Sequence, residues 1–555
     1  MKKISYTFAM ILMLSTLQFS IAQVIDVPAD YPTIQQGIDA ASEGDTVLVA
    51  EGTYVENVDF NGKHLTLASH FILDRNTDHI ANTIIDGSDP ADPDRGAVVS
   101  MEGIVDTTAV LTGFSITGGS GNASQLIVYS TNIGRNRAGA GVHGSGGKVE
   151  FNYFYDNHIV SENGAMAMGG GIGFFPSDSK GINLVVRNNK VYDNSITASS
   201  HSQGGGIAVG CDDGFTLVEN NDIYDNTAEC LVKWKVNAGG LMVGITSPFK
   251  CEVIVRNNKI LRNEIKGTDG QGGGIFVTIT PNPNKYQDIK PTMEFYNNII
   301  AYNTSCDAAG AMAFWDQESY PWETPAMLIC NNTIYKNKAD RVAAIYNHKG
   351  LILLLNNIIW DDLSDTKNGE LYCETLYDQY GNSSRSRFIS IKNVIQKTDN
   401  PNNCPDAPKY IHAESFKLTD DSPGIDIGMD AYVTNGHPYV APRYDIFGAF
   451  RPVGQIDAGA VQTTGVTTDI INIYSNAGEK IKILTNPFAD QLIVEMKNAG
   501  QIRNVTLYNM SGQLERRIEY PKEKQLIIQR DALPPGMYIL RVEGEGVFTG
   551  KVIAR

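Results

Sequence analysis

The sequence predicts an all-β protein: a right-handed parallel β-helix (a solenoid) followed by a small Ig-like antiparallel β-sandwich. Two repeated phrases and one change of pattern carry this. A triplet of small residues followed by an apolar one recurs as Gly139-Ala-Gly-Val142, Gly169-Gly-Gly-Ile172, Gly204-Gly-Gly-Ile207, Ala238-Gly-Gly-Leu241, Gly272-Gly-Gly-Ile275, Ala309-Gly-Ala-Met312 and Val342-Ala-Ala-Ile345, at intervals of 30 to 37 residues. Between them runs a phrase built on Asn-Asn and closed by Asn, as in Arg187-Asn-Asn-Lys-Val-Tyr-Asp-Asn194, Glu219-Asn-Asn-Asp-Ile-Tyr-Asp-Asn226 and Arg256-Asn-Asn-Lys-Ile-Leu-Arg-Asn263. Looser copies end at Asn157, Asn303 and Asn337. Beyond Gln462 both phrases stop and short alternating strands take over.

A repeat of this length, made of alternating strands and Gly or Asn turns, cannot close a core of its own. Stacked at the inter-strand distance of about 4.8 Å, copies pair edge to edge and bury one continuous apolar stripe. Asn at the same turn of every coil then forms an amide ladder. The charges support the register independently. Glu150, Arg187, Glu219 and Arg256, seven residues before each closing Asn, alternate in sign, and so do Lys190, Asp222 and Lys259. Stacking alone asks for that alternation. A lyase-like role for Arg187, Arg256, Lys190 or Lys259 as a base is the functional alternative.

From the N-terminus, Lys2 and Lys3 precede a short apolar run, and Ser20-Ile-Ala22 places small residues before Gln23. Residues 1–22 therefore read as a signal peptide. The β-helix is expected over 23–462, with an N-terminal cap at 23–46, where Thr33 and Gln36 form a capping box. Residues 463–471 read as a linker, and 472–555 as the sandwich, with strands such as Gln491-Leu-Ile-Val-Glu495 and Met537-Tyr-Ile-Leu-Arg-Val542. The 555-residue chain carries 45 Lys and Arg against 62 Asp and Glu, a net charge of −17. That excludes a nucleic-acid partner, because phosphates repel it. Seven cysteines, none in CxxC, fit no zinc framework. Most read as small core-facing hydrophobes, at least one of the odd count being unpaired; disulfides of unreadable connectivity are the alternative.

Three segments resemble known families. Tyr31-Pro-Thr-Ile-Gln-Gln36 through Val47-Leu-Val-Ala-Glu-Gly-Thr-Tyr54, with Ile84-Ile-Asp-Gly87, resembles the cap and early coils of the pectin-lyase-like superfamily. Asp421-Ser-Pro-Gly-Ile-Asp426, Asp445 to Arg451 and Ile456-Asp-Ala-Gly-Ala460 resemble a choice-of-anchor Q segment, at about 415–462. Here Asp426, Asp445, Arg451 and Asp457 are expected to close the last coils by ion pairs and turn hydrogen bonds, an acidic site being the alternative. Asn486-Pro-Phe-Ala-Asp490, Leu507 to Gly512, Leu533-Pro-Pro-Gly-Met-Tyr538 and Lys551 to Arg555 resemble the type A sorting domain of the type IX secretion system. That resemblance implies the type IX secretion machinery as a partner, and release or attachment at the outer-membrane surface.

Chemistry is expected on the loops after the small-residue strands, which should line one edge of the helix. There Trp315, Tyr320, Trp322, Phe174 and Phe175 offer flat faces for sugar rings. Asp212, Asp213, Asp316 and Glu318 are the candidate catalytic acids and bases. Asp156, Asp193 and Asp225 form a like-charged column, to be neutralised by neighbouring Asn, by Arg262, or by Ca2+, the one cofactor the sequence suggests. Polygalacturonase-like and pectate-lyase motifs are missing, and His143, His158 and His201 read as turn residues. The expected protein is a monomeric surface binder or degrader of polysaccharide, lyase or glycoside hydrolase; a non-catalytic adhesin or structural coat protein is the alternative.

Overall fold

The computed structural model describes residues 22–463 except 125–135, 163–164, 176–180, 212, 232–235, 246–250, 280–291, 317–324, 326, 349, 365–370, 374, 378–382, 386, 397, 399, 413–414 and 435. Beyond 463 it describes 481–483, 491–496, 504–509, 514–519, 525–529, 533, 536–543 and 547–554. The signal-peptide reading, Ala22 apart, and the linker reading, Thr463 apart, lie outside the described residues. The chain divides into two compact units, one reaching residue 447 and including 451–465, the other made of 448–450 and 466–555.

The first unit is a parallel β-helix whose fullest coils have five strands. In one coil Asn183–Arg187 lies in sheet 1, Lys190–Tyr192 in sheet 2, Ser195–Ala198 in sheet 3, Ser202–Gln203 in sheet 4 and Ile207–Cys211 in sheet 5, before Gly214–Glu219 returns to sheet 1. Sheets 1 to 5 hold 12, 11, 7, 7 and 10 strands. Neighbours pair in parallel, Gly121–Ser124 of sheet 4 being antiparallel to both of its neighbours. Alternation drives the packing. Ile172, Ile207, Leu241 and Ile275 are in register in sheet 5 and fully buried in the core.

The Asn-Asn phrase is the corner between sheets 1 and 2. Its first residue takes the left-handed backbone (Asn188 φ 56°, Asn220 φ 54°, Asn257 φ 56°), which Asn tolerates better than most residues. Its second residue points inward as a rung. Two such amide ladders run up the helix, one from Asn152 through Asn189, Asn221 and Asn258, the other from Asn157 through Asn194, Asn226 and Asn263. Asn226 shows the full pattern. Its Nδ2 donates to the Asn263 Oδ1 at 3.0 Å, the Val191 carbonyl at 2.8 Å and the Tyr224 carbonyl at 3.0 Å. Its Oδ1 accepts from Nδ2 and N of Asn194.

The predicted charge ladder forms as well. Arg187 Nε donates to Glu150 at 2.6 Å and Arg256 Nε to Glu219 at 2.7 Å, while Lys259 lies 3.8 Å from Asp222. The arginines are about a third exposed, where ion pairs contribute on the order of 0–1 kcal/mol. The ladder sets register more than it adds stability.

Helix α1 (Ile34–Ala40) caps the N-terminal end, and Thr33 Oγ1 accepts from Gln36 N. The first two amides of α1 are taken by the Glu56 carboxylate, at 3.0 Å each, from the link between strands Gly52–Val55 and Val58–Asp59. An acid at this end also suits the helix dipole. At the other end the chain does not simply stop. Residues up to 463 turn back along the outside of three coils. Asn356 Nδ2 donates to the Met429 carbonyl, Asn331 Nδ2 to the Asp457 carbonyl, and Asn297 Nδ2 to the Tyr444 carbonyl. Arg451, fully buried, ties this strap down by donating to the carbonyls of Asp457 and Gly459 and to Gln462 Oε1 and Asn297 Oδ1. Burial lowers its pKa to about 10. The Asp445 carboxylate accepts from the amides of Phe447 and Gln462, and the Asp457 carboxylate from those of Asp426 and Thr463. These acids close turns.

The second unit is a small antiparallel sandwich. Ile481–Ile483, Gln491–Met496 and Gln525–Gln529 form one sheet. Asn504–Asn509, Leu514–Glu519, Gly536–Glu543 and Val547–Ala554 form the other. Leu492 and Ile528 from the first pack with Val505, Leu507, Leu540, Val542 and Val552 from the second.

Candidate functional site

Every second residue of sheet 5 faces away from the main core. One outward column reads Ser100, His143, Gly173, Ala208, Met242, Phe276, Ala313, Tyr346 and Tyr372. The next reads Gly210, Gly244, Thr278, Trp315 and His348. Trp315 stacks on His348 at 3.7 Å, and Tyr346 on Tyr372 at 5.7 Å. Phe175, Trp315 and Tyr372 pack half-buried against this outer cluster.

Sheet 4 supplies the facing column: Ala138, Met168, Gln203, Asn237, Gln271, Ala308 and Val342. It shares a cluster with Met242, Phe276 and Tyr346 of sheet 5. The small-residue triplets make this close approach necessary. Gly204 has φ 72°, and a Cβ there would stand 2.3 Å from the Ile207 carbonyl oxygen. Two buried acceptors in the facing column, Asn237 Oδ1 and Gln271 Oε1, have no hydrogen-bond partner. Adjacent unpaired amide oxygens beside aromatic rings would be satisfied by a ligand rich in hydroxyl donors.

At its N-terminal end this face carries a polar cluster that sequence reasoning missed. His143 Nε2 lies 3.3 Å from Glu102 Oε1, Arg95 donates to Glu102 at 3.1 Å and pairs with Asp59, and Asn122 Nδ2 donates to Ser100 Oγ at 2.7 Å. The hydrogen bond from His143, with Arg95 adding to it, holds the Glu102 carboxyl down at about 2. His143 Nδ1 is buried without a partner. The clue available in the sequence was position, since His143 directly follows the apolar residue of the first triplet.

The predicted residues fall out as follows. Phe174 is a correction: it sits in strand Ile172–Phe174 with its ring fully buried in the main core, because it shares the inward column with Val209. Trp315 and Asp316 belong to strand Met312–Asp316, not to a loop, and occupy successive positions in register with Thr278 and Ile279. Asp213 sits at the turn from sheet 5 to sheet 1 with φ 53°, away from the outward columns. Asp212, Glu318, Tyr320 and Trp322 lie outside the described residues. His143 and His158 are strand residues rather than turn residues.

The aspartate column has a backbone explanation. Asp156, Asp193 and Asp225 have φ of 51°, 52° and 56° at the corner before the second amide ladder, where Asp is tolerated. Arg262, next in the column, clamps Asp225 at 2.8 and 2.9 Å. Burial, then Asp225 and Asp156, raise the Asp193 carboxyl. Among the described residues no group of three or more His, Cys, Asp or Glu side chains is gathered closely enough to hold a metal ion.

The fold thus defines a parallel β-helix protein with a C-terminal antiparallel sandwich. Residues 152–287, the coils carrying Phe175, Gln203, Asn237, Gln271 and Phe276, match the family described as disaggregatase related. Residues 482–555 match the secretion system C-terminal sorting domain. No curated protein matches the chain. The sorting domain marks the protein for type IX secretion to the cell surface or extracellular space, and is the part recognised by the secretion machinery.

Proposed function

We propose that the protein is a surface polysaccharide binder whose ligand lies on the outer face of sheet 5. The observation that carries this is one surface combining half-buried aromatic rings (Phe175, Trp315, Tyr372) with two buried amide oxygens that lack donors. Rings stack on sugar faces, and sugar hydroxyls supply donors. The match to the disaggregatase-related family covers the coils of Phe175, Asn237 and Gln271. Affinity electrophoresis against neutral and acidic polysaccharides tests the reading. At about 1 kcal/mol per ring, Trp315→Ala with Tyr372→Ala weakens retention about tenfold or more. A wild type that no polysaccharide in the panel retards sinks the reading.

The His143–Glu102 pair favours a second reading, in which the bound chain is also cut, with His143 Nδ1 as the base and Glu102 orienting it. New chain ends released by wild type but not by His143→Gln, at undiminished retention, select it.

A further inference from the structure

We propose that Cys211 and Cys251 form a disulfide in the exported protein, tying each end of one full coil to the next. Cys251 pairs with Gly214 in sheet 1, and Cys211 ends the preceding sheet 5 strand three residues before Gly214. The corner therefore lays Cys211 beside the following coil. The two thiols are hydrogen-bonded to each other, and both are buried in the main core, 2% and 1% exposed. Both are free thiols here.

The Cys211 S–H also donates to the Gly214 carbonyl at 3.5 Å, at the position paired with Cys251, and the contact between the thiols is felt by both. That contact favours the Cys211 thiolate, whose pKa is lowered, while the Cys251 thiol is raised by the same contact and by burial. One nucleophilic and one resolving thiol in contact is the arrangement that thiol–disulfide exchange uses. The export route supplies the other condition, since a chain leaving the cytoplasm passes through the oxidising periplasm.

The chemistry balances as an exchange. Before the coils close over it, the Cys211 thiolate attacks a protein or small-molecule disulfide of the periplasm, whose S–S bond breaks to release one thiol. Cys251, as its proton leaves, then attacks the mixed disulfide. The acceptor ends as two thiols, having taken two electrons, and Cys211–Cys251 ends as one S–S bond.

Protein collected after export, denatured without reductant and treated with an alkylating agent, tests this. Expected is protection of Cys211 and Cys251, a linked peptide on digestion, and alkylation of both once reductant is added. Cytoplasmic protein lacking residues 1–22 is expected to alkylate at both. A second measurement is the melting temperature, which reductant lowers in wild type and leaves unchanged in the Cys211→Ser/Cys251→Ser variant. Alkylation of both cysteines in exported, unreduced protein overturns the proposal, as does linkage of either one to a different cysteine.

Discussion

Asn226 and Asn237 belong to the same repeat and are both buried, yet they stand in opposite circumstances. Asn226, at the corner of sheets 2 and 3, uses both side-chain atoms within the ladder. Asn237, in the column facing sheet 5, leaves its carbonyl oxygen without a donor, as Gln271 does one coil later. A buried, satisfied amide contributes to uniqueness and stability; a buried, unsatisfied one costs about 1–3 kcal/mol. The proposed glycan site rests on this contrast between a satisfied column and an unsatisfied pair.

Substitutions at matched positions sharpen that contrast. The largest effect is expected from Asn226→Leu, which takes a donor from the Val191 and Tyr224 carbonyls and the acceptor from the Asn194 backbone N–H. At about 1–3 kcal/mol for each stranded group, partly relieved by relaxation, the loss is about 4 kcal/mol or more. Chemical unfolding measures it, and a loss below about 1 kcal/mol would mean that the ladder is ornamental.

Asp362 tests the ladder from within. It replaces Asn as the last described rung, and its Oδ1 accepts from N and Nδ2 of Asn337. Its Oδ2 has no partner where the other rungs carry an NH2. Burial pushes its pKa up to about 7, against an unfolded value of about 3.9. Between those values the folded state holds a proton that the unfolded state has released. Its contribution is therefore complete below about pH 4 and is lost as the pH rises to about 7, by up to about 4 kcal/mol. Asp362→Asn removes this slope and raises the melting temperature at pH 8. A parallel pH profile in variant and wild type would show that the acid is not protonated in the fold.

The smallest stability effect belongs to Asn237→Leu, within about 1 kcal/mol of wild type, because no partner of its oxygen is lost. Glycan retention should nevertheless fall. Unchanged retention, measured on the polysaccharide that wild type binds, would remove Asn237 from the site and break the contrast.

Much of the fold was legible because stacking imposes identity at fixed intervals. The Asn-Asn phrase, the triplets and the alternation of Glu150, Arg187, Glu219 and Arg256 are each the signature of one column. The site was less legible, since outward columns are read across coils rather than along the chain. Phe174 and Phe175 are neighbours in sequence, but one fills the core and the other lines the outer face. Trp315 and Asp316 misled in the same way: composition suggested a loop where backbone pairing continues a strand. The Asp column asked for a neutralising partner, and Arg262, one of those expected, clamps Asp225 while left-handed backbone places all three acids. Glu102 and His143 lie on different coils, a pairing that only the register discloses.

The strap has a consequence for how the molecule comes into being. Successive rungs of the helix join residues 25 to 40 apart, as Asn337 to Asp362 and Asn263 to Asn303 show. The tie from Arg451 to Asn297 spans 154. Closing the longer loop costs only about 1 kcal/mol more in chain entropy. The delay is one of order: coils accrete one upon another as the chain lengthens, whereas the strap has nothing to clasp until residue 451 has been made. A β-helix that grows from its N-terminal cap therefore stays unlatched over three coils until synthesis has nearly reached the sorting domain. The seal on the coils and the sorting domain are thus made one directly after the other.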